Sequence, residues 1–258
     1  MPVALIRDVS PSLQRCELTH RPRQPIDVAL ARMQHRQYET CLADLGCTIY
    51  QLPTEPEWPD AVFIEDTAIV LDELAIIARP GTESRRSETT AVAETLRAFR
   101  SLFYIEPPGT LDGGDVLRLG QTVYVGVLRR SNQAGFEQVR RWLTPYGYAV
   151  NAVEVSGCLH LKSAVTSVAE NTLLINRAWV DAGAFGDVAL IDVDPSEPFG
   201  GNALLVSETV MYPSGYPKTH RRLLEPGLTV QAVDVSELGK AEGGVTCCSL
   251  IFNVRHQL

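Results

Sequence analysis

Two adjacent thiols, Cys247 and Cys248, sit inside a glycine-led apolar run, Gly243-Gly244-Val245-Thr246-Cys247-Cys248-Ser249-Leu250-Ile251-Phe252. The glycines release the backbone, and the residues after them read as a buried strand. A thiol at the mouth of such a strand can be reached by a ligand. Cysteine is also among the residues most often buried as a small hydrophobe, so Cys247 alone decides nothing. Its spacing from other reactive residues carries more weight. Asp60 (with Glu65 and Asp66), Asp112, His160, Asn202 and Cys247 follow one another at intervals of 52, 48, 42 and 45 residues. Near-constant intervals of this size mark a repeated unit, and in a closed ring of units the equivalent positions converge on one axis. A thiol beside an imidazole is the smallest set for nucleophilic catalysis, because histidine can help form the thiolate or pass a proton to a leaving group. Carboxylates at the same place favour a cation. A planar guanidinium suits them well, since its fork of N–H donors matches carboxylate geometry.

The elements that would position these residues recur as strand, strand, helix, strand. In the first full unit, Val62 to Leu71 and Leu74 to Ala78 read as strands around an acidic turn, followed by a helix from Glu88 to Phe99 and a strand from Leu102 to Ile105. The second has a hairpin, Val116 to Leu119 and Thr122 to Val127. Its helix carries Phe136, Val139, Trp142 and Leu143 on one face, and a strand from Tyr148 to Val155 completes it. The third runs His160 to Val168, Leu173 to Ile175, a short helix near Ala178, and Val188 to Val193. The fourth runs Ala203 to Val206, Thr209 to Tyr212, a helix from Lys218 to Leu224, and Leu228 to Val235. At the N-terminal side, Ala4 to Ile6 is a strand, Ser10 to Gln24 a loop, and Ile26 to Leu45 a helix stopped by Gly46, before a strand from Thr48 to Leu52. That unit lacks its first strand. Val245 to Val254 can supply it beside Ala4 to Ile6, closing five units into a ring without exposed sheet edges. The spacing therefore predicts a single closed α/β domain over residues 1–258.

Composition bounds the function. Of 258 residues, 45% are hydrophobic and 21% charged, ordinary for a globular core. No apolar run approaches the roughly 18 residues of a membrane span, and no signal peptide is visible. A net charge of −8 argues against nonspecific nucleic-acid binding. The six cysteines form neither a Cys-x-x-Cys pair nor a dense framework, which disfavours structural zinc and disulfides and fits a reducing cytoplasm.

Several motifs together resemble the dimethylarginine dimethylaminohydrolase family. They are Asp60 with Phe63-Ile64-Glu65-Asp66, Arg79-Pro80-Gly81 with Ser84-Arg85-Arg86, and Gly109-Thr110-Leu111-Asp112-Gly113-Gly114-Asp115. Arg130-Ser131-Asn132, Leu159-His160-Leu161-Lys162-Ser163 and the Gly243 to Ser249 run follow in the same order. The resemblance implies a five-bladed α/β propeller of the guanidine-modifying superfamily. It also implies hydrolysis of methylated arginines to citrulline through a covalent thiouronium, with no cofactor or metal. By resemblance, Cys247 is the nucleophile and His160 the general acid/base. Asp112, standing where some members have Glu, orients His160. Asp60, Phe63, Glu65 and Asp66 surround the substrate's guanidinium and amino ends, and Arg85 and Arg130 clamp its carboxylate. Leu18, on a mobile lid, and Ala241 offer backbone contacts. A homodimer is implied as well.

Each feature also has an ordinary explanation taken singly. His160 could be a core histidine, the arginine pairs could be solvated, and Gly113-Gly114-Asp115 could be only a hairpin turn with no role in chemistry. Arginine deiminases share the chemistry but usually carry an extra helical insertion, and agmatine deiminases act on a substrate without a carboxylate. A ribosome anti-association factor of the same fold would lack the thiol and histidine.

Overall fold

Strand β1 (Pro2–Arg7), helix α1 (Val28–Asp44) and strand β2 (Thr48–Leu52) begin a computed structural model that describes residues 2–254. Next come β3 (Ala68–Val70), β4 (Leu74–Ile77), α2 (Thr89–Leu96) and β5 (Ser101–Tyr104), then β6 (Val116–Leu119), β7 (Thr122–Gly126), α3 (Gln133–Leu143) and β8 (Ala149–Val153). A one-turn helix α4 (Leu161–Ala164) leads into β9 (Val165–Ala169), β10 (Thr172–Ile175) and β11 (Ala189–Asp192). The last round is β12 (Leu204–Val206), β13 (Thr209–Pro213), α5 (Pro217–Leu224) and β14 (Thr229–Val233), followed by α6 (Ser236–Lys240) and β15 (Ser249–Asn253).

These strands make five three-stranded sheets of one design. In each, the inner strand pairs antiparallel with the middle one, and the middle strand pairs parallel with the outer one. A hairpin makes the first pairing in four of the sheets. The parallel pairing needs a crossover, which is why a helix or turn precedes each outer strand. The fifth sheet has the order β15-β1-β2, with Val3 opposite Phe252 and Ile6 opposite Ser249, so the closure expected from the sequence is present. The inner strands β3, β6, β9, β12 and β15 together line an axial cavity of about 590 Å³. This is a five-bladed α/β propeller.

Helix α1 shows how the sequence builds a support for the site. Asp27 caps it by accepting hydrogen bonds from the Ala29 and Leu30 amides at 3.0 Å, and Gly46 ends it at φ +90°, where a side chain would be strained. Ala31, Gln34, His35, Tyr38 and Leu42 recur on its buried face. From that face the Tyr38 hydroxyl donates to the Val245 carbonyl at 2.8 Å and meets the Ser249 hydroxyl at 2.7 Å. Both ends of the turn carrying Cys247 are thereby fixed to one helix.

Five elements differ from their sequence expectation. The strand expected over Val62 to Leu71 is a buried turn and a 3-10 helix (Ile64–Thr67) before β3. The strand expected from His160 begins only at Val165, after α4, and the one expected from Val245 begins only at Ser249. These three share one cause. The turns at the axis are buried, so Ala61, Val62, Ile64, Leu161, Ala164 and Val245 are as apolar as the strands they precede. Hydrophobicity continues where backbone pairing has stopped. The helix expected near Ala178 is a turn, with a 3-10 helix further on at Ala182–Phe185, and α6 lies where no helix was expected.

Candidate active site

Five turns deliver the reactive groups to one end of the axis. Cys247 stands in the turn before β15, half-buried, and its sulfur accepts a hydrogen bond from the Gly244 amide at 3.2 Å. The two glycines ahead of it permit close packing rather than an unusual φ. A β-carbon at Gly243 would collide with the Phe63 ring, and one at Gly244 with the Asn202 amide. Asn202, the fourth member of the recurring series, holds this turn: its side-chain oxygen accepts from the Thr246 amide at 3.1 Å, and its nitrogen donates to the Thr246 hydroxyl and to the Lys162 carbonyl, each at 3.0 Å. It carries no chemistry itself.

His160 precedes α4 and is buried. Its Nε2 lies 3.0 Å from Asp112 Oδ2, and its Nδ1 lies 3.7 Å from Asp66 Oδ1. Asp112 is fully buried and also accepts the Gly81 amide at 2.9 Å, so the shorter side chain does reach the imidazole. Gly113-Gly114 is more than a hairpin. The Gly114 amide donates to Asp66 Oδ1 at 3.0 Å, and a β-carbon there would sit 2.7 Å from both Asp66 Oδ1 and His160 Nδ1.

The two arginines differ in kind. Arg85 is buried and fully engaged, donating to Asp66 at 2.6 Å, to Glu88 at 2.8 Å and to the Asp60 and Phe63 carbonyls at 3.2 and 3.0 Å. Glu88, not singled out from the sequence, is its chief anchor. Arg130 meets hydroxyls instead, those of Thr82 and Thr19, with Asp112 Oδ2 3.9 Å away. Its charge is the less neutralised of the two.

These groups border a cavity of about 20 Å³, room for about one water. Asp60, Phe63, Asp66, Arg85, Arg130, His160, Ala241 and Cys247 all line it, as do Glu17 and Glu242. A second cavity of about 260 Å³, with Phe199 and Tyr216 in its wall, meets the first at Leu159, Glu242, Gly243 and Cys247. The larger holds neither His160 nor the carboxylates Asp60 and Asp66, which gather at the smaller. Two expected residues, Glu65 and Leu18, do not line the smaller cavity. Glu65 approaches from the axial cavity, with its carboxylate bonded to Lys162 at 2.5 Å and to the Thr246 hydroxyl at 2.6 Å. Leu18 packs on the core beside α1, while its neighbours carry the polar contacts. The amide of Glu17 donates to Asp60, and those of Thr19, His20 and Arg21 donate to the Glu242 carboxylate. Glu242 holds this strap from a left-handed φ of +60°, a conformation nothing in the sequence announces.

Burial sets the protonation states. It pushes the Cys247 thiol up to about 12, with the charges of Glu65 and Asp66 adding to the effect. Burial works against a charged imidazole, but Asp66, Asp115 and Asp112 outweigh it and raise His160 to about 9. It likewise opposes an ionised Asp66, yet His160 and Arg85 hold that carboxyl down at about 2. Burial lifts Asp60 to about 6 despite Arg85. The resting pair at neutral pH is thus a thiol and an imidazolium. Asp66, Asp112 and His160 place ligand atoms within 4.8 Å of one another and could hold a metal ion, but their carboxylates already accept from Arg85, Gly114 and Gly81.

A propeller of this design with thiol, imidazole and carboxylates at one end of its axis defines the guanidine-modifying class. Within it, residues 20–254 match the family model described as N,N dimethylarginine dimethylhydrolase, eukaryotic. N(G),N(G)-dimethylarginine dimethylaminohydrolase of Streptomyces coelicolor is 38% identical over 96% of this chain and 95% of its own, and that of Pseudomonas aeruginosa 36% identical over 88% and 90%. A solved structure of the Pseudomonas aeruginosa enzyme, a variant complexed with citrulline, superposes with a TM-score of 0.92 at 34% identity, covering 96% of this chain and 98% of that one. The N-terminal domain of a cyanobacterial arginine dihydrolase shares the fold, with a TM-score of 0.86 at 17% identity over 97% and 98%. The chain belongs to the dimethylarginine dimethylaminohydrolase family.

Proposed function

We propose that this chain hydrolyses Nω-methylated arginines to citrulline and a methylamine. The observation that carries the reading is one small cavity bordered by a thiol, an imidazolium and several carboxylates, Asp60 and Asp66 among them, with an under-neutralised arginine in its wall. Membership of the family supports the substrate class, and the Pseudomonas aeruginosa enzyme bound to citrulline supports the product.

The substrate's carboxylate meets Arg130, with Arg85 beside it, and its ammonium lies near Asp60 and the backbone around Leu18 and Ala241. Its guanidinium sits against Asp66, with Phe63 in the wall and Glu65 below. A bound cation offsets the negative charges that raise the Cys247 thiol, so the thiolate forms in the complex as its proton passes to solvent, His160 being already protonated. The thiolate attacks the guanidinium carbon. His160, held by Asp112, donates its proton to the departing methylamine as the C–N bond breaks, which leaves an S-alkylthiouronium and a neutral imidazole. Water then attacks that carbon while His160 takes up its proton. The C–S bond breaks, citrulline departs and the thiolate is restored. All six cysteines are free thiols, which supports placement in a reducing cytoplasm.

The test is citrulline release from asymmetric dimethylarginine, monomethylarginine and arginine, with Cys247→Ala as blank. Turnover of the methylated substrates with arginine nearly inert is expected. Turnover of arginine alone would make this a compact deiminase, and silence on all three would sink the reading.

A further inference from the structure

Asp115 takes no part in the steps above, yet it is fully buried at the back of the site. One of its oxygens accepts the Leu161 amide at 3.0 Å, the residue directly after His160. The other accepts the Ser131 hydroxyl at 2.6 Å, and that hydroxyl in turn accepts the Asp112 amide at 3.0 Å. The Asp115 amide closes the set by donating to the Asp112 carbonyl at 3.0 Å. A single carboxylate therefore joins three chain segments: the one carrying Asp112, the one carrying Arg130 and Ser131, and the one carrying His160. We propose that Asp115 is a positioning residue, holding His160 against Asp112 through the Leu161 amide and the Ser131 hydroxyl.

The inference rests on the reading of His160 as the proton donor. A buried carboxylate is costly unless its lone pairs are satisfied, and burial lifts Asp115 to about 7 against the pull of His160. Its contacts are chiefly backbone and hydroxyl donors of the site itself, so its cost is offset where the geometry of the imidazole is decided. The titratable and charged groups around His160 are Asp66 from the turn before β3, Asp112 and Asp115 from the turn before β6, and Cys158, whose thiol donates to the His160 carbonyl at 3.3 Å. Arg85 pairs with Asp66, and Arg130 lies near Asp112. Arg130 keeps its own hydroxyl partners on Thr82 and Thr19, so loss of Asp115 should reach the imidazole before it reaches substrate binding.

Asp115→Ala, Asp115→Asn and Ser131→Ala test this by kcat and KM on methylated arginine and by NMR titration of the His160 imidazole, identified by its absence in His160→Gln. In Asp115→Ala, kcat should fall about 10- to 100-fold, the loss seen when a group orienting a functional imidazole is removed, with KM within about threefold. Asp115→Asn keeps an oxygen for the Leu161 amide and should recover part of kcat. In both, His160 should titrate at lower pH, because a nearby negative charge is gone. A folded Asp115→Ala with kcat within about twofold of wild type, or with the loss confined to KM, would overturn the proposal. If Asp115→Ala does not fold, Ser131→Ala decides: kcat should fall with KM preserved, and unchanged kcat overturns the proposal. A wild-type chain that releases no citrulline sinks the methylarginine reading instead. The NMR titration needs no substrate, so an unmoved His160 midpoint in Asp115→Asn counts against Asp115 alone.

Discussion

Filling the site with a cation should change the Cys247 thiol itself. In the empty protein, burial and then the charges of Glu65 and Asp66 hold the Cys247 thiol at about 12, so at pH 8 roughly one molecule in ten thousand carries a thiolate. A guanidinium in contact with the sulfur, about 4 Å away, stabilises the thiolate by roughly 4 kcal/mol at an effective dielectric of about 20. That is about three pKa units, enough to bring the midpoint near pH 9 and to ionise roughly one thiol in ten at pH 8. The assay is thiolate absorbance at 240 nm across pH, with and without saturating arginine, taken as the difference from Cys247→Ser. Cys16, Cys41, Cys47, Cys158 and Cys248 are all pushed above the ordinary thiol range by burial, so little else should ionise below pH 9. The expected result is a Cys247 midpoint that drops by about three pH units when the ligand binds. A midpoint near 7 in the empty protein, or one that moves by less than about one unit on binding, would refute the reasoning. Activation would then have to be built into the resting site.

The two arginines should separate in mutants. Arg130→Ala loses a charge-assisted contact worth about 1.5–3 kcal/mol, so KM should rise about 10- to 100-fold with a smaller effect on kcat. Arg85→Ala strips partners from buried Asp66 and Glu88 and should cost about 3–5 kcal/mol of stability in denaturant titration; an unchanged midpoint would show that these carboxylates do not need it. Glu242→Gly keeps the left-handed backbone but removes the acceptor of three strap amides, so limited proteolysis should cut between Glu17 and Arg21 faster while thermal stability barely falls. His160 is raised from 6.5 to about 9 on folding, so its contribution is fully present below pH 6.5 and lost as pH climbs toward 9; the melting temperature should fall across that window, and fall less in His160→Gln.

The ring and its contents were legible in the sequence to different depths. The repeat interval placed Asp60, His160 and Cys247 around one cavity with Asp112 behind the imidazole, and the closing pair β15 and β1 followed from counting which unit lacked a strand. Periodicity carried this because a closed ring converts equal spacing along the chain into proximity. It failed at the axis, where turns as apolar as strands hide their own boundaries. Residue type was also a poor guide to how a side chain is occupied. Arg85 and Arg130 look alike in sequence, but only the fold shows that Glu88 and two carbonyls already hold the first. Glu65 sits beside Asp66 in the chain, yet the 3-10 turn sends it toward Lys162 and the axis. Glu242 went unread, and Asp115 was legible only as the end of a motif or hairpin turn, because both act by accepting backbone amides and such contacts leave no pattern in side-chain types.

The order of synthesis gives the pairing of β15 with β1 a temporal meaning. The first strand of the ring to be made waits for the last one as its antiparallel neighbour, and the turn bearing Cys247 emerges from the ribosome just ahead of that partner. Until then β1 presents an unpaired edge, the template most prone to stray association. The thiol meanwhile has no Tyr38 hydroxyl fastening its turn and no Asn202 holding Thr246. The pairing that closes the ring thus lies directly beside the turn that carries Cys247, and a chain cut before β15 would keep β1 as an open edge.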